Sequence, residues 1–134
     1  RGTIKLAKQI AKRTGLDISI FGKGKLSHNQ VLELFASAKI YVGLSLSDGI
    51  STSLLESMAM GAIPVQTATA CCDEWFTDSG VKVTEITVEG VQKAILEGLK
   101  LAENQAHSDR NREIIRTKAD ADDVAKIAQG FYNL

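Results

Sequence analysis

Hydrophobic and polar positions alternate along this chain between two periods. Ile40 to Leu44 is an apolar, β-branched run of strand length, and Leu54, Leu55, Met58 and Ala59 then return at helical spacing. Between them lies a polar loop that carries Gly49, so the pattern predicts strand, loop and helix. Gly61 stops that helix, and Pro64 fits only the first residue or an edge of the strand that follows through Val65. Upstream, Ile4, Leu6, Ala7, Ile10 and Ala11 share one helical face against outward Lys5, Lys8, Lys12 and Arg13, and Gly15 ends the helix after basic residues. Asp17 to Phe21 predicts a short strand leading into the basic loop Gly22 to Lys25. Ser27 and Gln30 form a capping box for a helix carrying Val31, Leu32, Leu34, Phe35 and Ala38.

Downstream, a polar stretch from Gln66 to Cys72 precedes a short helix, Asp73 to Phe76, and Ser79-Gly80 turns the chain into a strand, Val81 to Val83. Val88, Val91, Ala94, Ile95, Leu99 and Ala102 fall at steps of three and four and predict a helix packed on the sheet. Asn111 to Lys118 and Ala121 to Tyr132 predict two more, the last turning Val124, Ile127, Ala128 and Phe131 inward. This succession predicts an α/β fold, a three-layer Rossmann-like parallel sheet with flanking helices and right-handed crossovers. The 134 residues suit a single domain. A helix comes first and only four strands are predicted, so the pattern resembles the later portion of a larger doubly wound fold.

Composition narrows the classes. Acidic and basic residues balance at 16 each, so no overall field draws the chain to nucleic acid or anionic lipid. No apolar run is long enough to span a bilayer and no signal-peptide pattern is present, which favours the cytoplasm. Cys71 and Cys72 are adjacent and read as ordinary thiols; with only His28 and His107 besides, no metal site is expected. His28 reads as a surface residue, and Lys23 and Lys25 as part of a solvated turn.

The chemistry concentrates where the strand from Ile40 ends. A loop at the carboxyl end of a parallel strand is where open α/β sheets bind ligands, and helix-start amides with the positive dipole end behind them suit a phosphate. The residues also admit a plainer explanation. Ser53 and Glu56 have capping-box spacing, so Glu56 could bond back to the Ser53 amide, and Asp48-Gly49 is a common turn pair.

The run from Ser47 to Val65 resembles the carboxyl-domain signature of the retaining GT-B glycosyltransferases of group 1 (GT4). That signature has two acidic residues eight positions apart, a glycine after the first and Gly-x-Pro-Val after the second; Asp48 and Glu56 hold the spacing. The capped helix leading to Ile40 and the segment from Asp73 to Val81 are also similar, so the resemblance extends from about Asp17 to Leu101. It implies the donor-binding, carboxyl-terminal domain of a GT-B enzyme, with the acceptor-binding amino-terminal domain outside this sequence. By position, Asp48 would contact the donor sugar as the catalytic-site carboxylate. Gly49, Ile50, Ser51, Thr52, Ser53 and Leu54 would bind the donor, with Ser51 to Leu54 presenting amides to its diphosphate, and Glu56 would accept from the ribose hydroxyls. No cofactor or metal is implied beyond the nucleotide-diphosphate sugar itself. Asp48 stands where the family usually has Glu, and Ser51 where it usually has Gly. The family's basic diphosphate-binding residues have no counterpart here, and Lys23 and Lys25 do not occupy that motif.

The function implied is retaining transfer of a hexosyl-type group from a nucleotide sugar to an acceptor, of the sort used in polysaccharide biosynthesis, with this chain inactive on its own. Two other readings stay open: a GT-B nucleotide-sugar epimerase, which the acidic spacing disfavours, and a non-catalytic α/β module that binds a phosphorylated metabolite or a partner protein.

Overall fold

Capping chemistry marks where most of the elements begin and end. The computed structural model describes residues 2–20, 26–44, 52–68 and 75–118. Helix α1 (Gly2–Thr14) ends at Gly15, whose φ of 70° is the left-handed conformation that glycine adopts without strain, and the Gly15 N–H donates to the Ala11 carbonyl at 2.9 Å. Helix α2 (His28–Ser37) opens on the predicted capping box: Ser27 Oγ accepts from the Gln30 N–H at 3.2 Å, and the Ser27 N–H donates to Gln30 Oε1 at 2.9 Å. Strand β1 (Ile40–Gly43), helix α3 (Thr52–Ala59), and strands β2 (Ile63–Thr67) and β3 (Val81–Val83) follow. Helix α4 (Val88–Ala102) is capped by Thr87, whose Oγ1 accepts from the Gly90 N–H at 3.0 Å, and helix α5 (Gln105–Lys118) completes the described chain.

The three strands form one parallel sheet in the order β1-β2-β3, with Ile40 opposite Ile63 and Val65 opposite Val81. Each face of the sheet carries its own core. On one, Ile10 of α1 and Val91, Ala94 and Ile95 of α4 pack on Val65, Val81 and Val83. On the other, Leu54 and Met58 of α3 and Ile115 of α5 enclose Phe76, with Tyr41 of β1 at the margin. Every residue of β2 is buried, as a strand covered on both faces must be. This is the expected α/β arrangement of helices on both sides of a parallel sheet. Gly98 lets α4 lie close: a Cβ there would stand 2.7 Å from Val65 Cγ2. At the surface, Arg13 Nη1 donates to Glu89 Oε1 at 3.3 Å, joining α1 to α4. A backbone hydrogen bond at Glu89 and then the Arg13 guanidinium hold this exposed carboxyl below its usual range.

Four details correct the sequence pattern. Asp17 to Ile20 is not a strand, although Leu16 and Ile18 pack on the core while Asp17 and Ser19 are exposed. Any extended segment draped over a core shows that alternation, whereas a strand also needs a ladder, and none joins it here. Pro64 is neither the first residue of its strand nor on an edge. It is the second residue of the central strand, tolerated because β3 pairs only from Val65 onward, so its missing N–H costs no ladder bond. On α3 the inward stripe takes Ser57 in place of Ala59, which is exposed; the buried Ser57 hydroxyl donates to the Leu54 carbonyl at 2.7 Å. Finally, α5 starts six residues before the predicted Asn111, at Gln105, because Asn104 Oδ1 accepts from the Ala106 N–H at 3.0 Å and opens the helix earlier. The strand end at Phe21, the start of the short helix at Asp73 and the helix from Ala121 to Tyr132 lie outside the described residues.

A polar side chain fastens α5. Asn111 is fully buried, and its Nδ2 donates to the Ser79 carbonyl at 3.0 Å and reaches the Ala62 carbonyl at 3.5 Å, linking α5 to the entries of β3 and β2. Replacing it with Leu leaves both carbonyls without this donor, so Asn111→Leu is expected to lower stability by about 1–3 kcal/mol in urea denaturation. An unchanged midpoint would contradict that role.

Candidate functional site

Parallel pairing puts the carboxyl ends of β1 and β2 at one end of the sheet, and α3, which lies between them in the chain, ends where the chain enters β2. Gly43, the last residue of β1, lies opposite Gln66. A side chain at Gly43 would run into Gln66 Oε1 and come within 3.1 Å of Tyr41 Oη, so glycine here leaves room for two polar groups at the strand end. The Tyr41 ring stands edge-on to Phe35 of α2, with centroids 5.7 Å apart. Gln66 is 7% exposed; its Nε2 reaches Thr67 Oγ1 at 3.4 Å, and its buried Oε1 has no hydrogen-bond partner among the described residues.

Helix α3 supplies the described part of the sequence-predicted site. Its first turn, Thr52-Ser53-Leu54, contains no acidic residue, and the first amides of an α-helix have no acceptor within its own ladder. Thr52 and Ser53 are half-buried. The Leu54 side chain is 1% exposed and belongs to the core, which leaves only its backbone to face a ligand. Because the helix begins at Thr52, Ser53 lies within it and is not its cap; the capping-box explanation of Ser53 and Glu56 therefore falls. Asp48, Gly49, Ile50 and Ser51 lie outside the described residues, as do Lys23, Lys25, Cys71 and Cys72.

Glu56 stands one turn further along α3. Its side chain is only 15% exposed, and its Oε1 lies 3.9 Å from Nε2 of His28, the first residue of α2. The other end of α3 is locked in place. The Gly61 N–H donates to the Met58 carbonyl at 3.0 Å and the Ala62 N–H to the Ser57 carbonyl at 2.9 Å, with Gly61 at φ 93°: a Schellman ending, as the sequence predicted at this glycine. The Arg112 guanidinium of α5 lies against Gly61 where a Cβ would be, and its Nη2 donates to the Met60 carbonyl at 3.2 Å.

Thus Thr52, Ser53, Leu54 and Glu56 lie on the first two turns of α3. Sequence reasoning missed two neighbours. Gln66 had no signal beyond being a polar residue in a strand. His28 did have one: its place in the first turn of a capped helix preceding the Ile40 strand, although it read as a surface residue. No cluster of three or more His, Cys, Asp or Glu that could hold a metal ion occurs among the described residues. Nor is any helix there long and apolar enough to cross a membrane. A separate surface groove, lined by Arg13, Glu89, Gln92, Lys93 and Leu96, lies on the α1–α4 face of the sheet, across from α3.

The family model described as glycosyl transferases group 1 matches residues 4–120 of the chain. No curated protein matches it significantly in sequence.

The Gly43–Gln66 contact is open to test. Gly43→Val must displace the Gln66 carboxamide and the Tyr41 hydroxyl, and overpacking of this kind costs about 1–3 kcal/mol. A fall in thermal midpoint is the expected result; wild-type stability would mean that the strand end has room to spare.

Proposed function

The chain belongs to the glycosyl transferases group 1 family, and from that premise we propose that it is the donor-binding domain of a retaining, nucleotide-sugar-dependent enzyme. In this reading the diphosphate of the donor rests on amides from Gly49 to Leu54, Asp48 holds hydroxyls of the transferred hexosyl group and Glu56 accepts from the ribose. A carboxylate suits paired hydroxyls, and helix-start amides suit phosphate oxygens. The observation that supports it most is the position of the first turn of α3 at the carboxyl end of β1, with Glu56 one turn on, in a chain of this family.

The chemistry follows from these roles. As the bond from the anomeric carbon to the diphosphate breaks, negative charge grows on the leaving group, and fixed N–H dipoles facing it stabilise that charge without having to reorganise. The reading calls on no metal or other cofactor. Holding acceptor and donor in reacting geometry requires a second surface, which we assign to an amino-terminal acceptor domain; this chain alone then binds donor without turning it over.

Calorimetric titration of the intact protein with uridine, guanosine and adenosine diphosphates and their sugar conjugates tests the proposal. One base is expected to bind saturably, and Glu56→Ala to weaken it by about 1–3 kcal/mol, the range for hydrogen bonds to a charged group. Asp48→Ala should weaken the sugar conjugate while sparing the free diphosphate. Absence of binding to every nucleotide in the panel would refute the donor-site reading and turn attention to a non-catalytic role.

A further inference from the structure

We infer that His28 is a positioning residue that holds the Glu56 carboxylate in the orientation needed for the donor ribose; the inference rests on the donor-site reading above. Three observations carry it. First, Glu56 is a carboxylate on a helix, yet its side chain is only 15% exposed, and its Oε1 faces His28 Nε2 at 3.9 Å. Burying most of a carboxylate costs free energy unless charged or donor groups offset it, and an imidazole supplies such a group. At 3.9 Å the contact is electrostatic and too long for a hydrogen bond.

Second, His28 does not sit on a wandering loop. It is the first residue of α2, directly after the reciprocal Ser27–Gln30 capping box, so its backbone is fixed where the ring approaches α3. Glu56 is fixed likewise, because α3 is anchored by buried Leu54, Ser57 and Met58 and locked at Gly61. The two side chains face each other between two anchored helices.

Third, the chemistry asks for such a partner. A carboxylate that accepts from two vicinal hydroxyls must turn both oxygens towards them, and it has rotational freedom about its side-chain bonds to lose on binding. A donor beside Oε1 restricts that freedom in advance, which is the general way that preorganisation raises affinity. His28 acts through Glu56 and touches neither the sugar nor the diphosphate.

The test is a double-mutant cycle on the intact protein, titrated with the nucleoside diphosphate selected from the panel above and with its dideoxyribose analogue. His28→Ala is expected to weaken the ribonucleotide by about three- to tenfold, in the lower part of the range of coupling between neighbouring side chains, and to have no further effect in a Glu56→Gln background. It should leave the dideoxy analogue unaffected, since that ligand has no hydroxyls for Glu56 to hold. His28→Gln, which keeps an N–H donor at similar reach, should recover most of the loss. Thermal midpoints of all variants separate these effects from unfolding. Wild-type affinity in His28→Ala, an equal loss with the dideoxy analogue or a full loss persisting in Glu56→Gln would each overturn the positioning role while leaving the donor site standing. Wild-type affinity in Glu56→Gln would overturn the ribose contact itself, and the His28 inference with it.

Discussion

Burial of β2 on both of its faces is the constraint on which the rest of this structure depends. Ile63, Pro64, Val65, Gln66 and Thr67 are all buried, so helices must cover the sheet on both sides. α4 covers one face, approaching closely enough at Gly98 to touch Val65, while α3 and α5 cover the other around Phe76. Removing a side chain such as Leu54 or Met58 from water contributes about 1.5–3 kcal/mol each, so two such cores provide most of the drive for the three layers. Pro64 is compatible with this central position only because β3 begins one residue later.

From that packing comes the geometry of the site. Since α3 lies between β1 and β2 and only three residues separate its end from β2, its last turn must release the chain sharply. The Schellman ending at Gly61 and the Arg112 contact to Met60 achieve the release. Among the described residues, the polar groups on β1, β2 and the first two turns of α3 include Tyr41, Gln66, Thr52, Ser53 and Glu56. The side chains of α3 thus divide, with Leu54, Ser57 and Met58 facing the core and Glu56 turned towards α2.

Much of this was legible in the sequence, and the failures have physical causes. The helix ends at Gly15 and Gly61 and the capping box at Ser27 were readable because each rests on local backbone chemistry. The inward face of α4 was readable because it is made of apolar residues. The inward face of α5 was not, since Ser108 and Asn111 are buried there beside Ile115, and a buried side chain whose Nδ2 donates to carbonyls distant in sequence leaves no periodic trace. Asp17 to Ile20 misled for the converse reason: alternation reports one-sided burial, whereas strand pairing depends on a neighbour that the local sequence does not specify. The sequence named Thr52 to Glu56 as site residues through spacing and resemblance. Gln66 and the His28–Glu56 approach depend on elements brought together by the fold, and no spacing rule reaches across them.

The proposed function comes down to one claim: the donor diphosphate rests where α3 begins. The most direct measurement is a crystal structure of the intact protein with its nucleoside diphosphate bound. The account predicts phosphate oxygens against the amides of Thr52 to Leu54 and ribose hydroxyls on the Glu56 carboxylate. A nucleotide seated instead in the groove between α1 and α4, with the α3 turn bare, would contradict it.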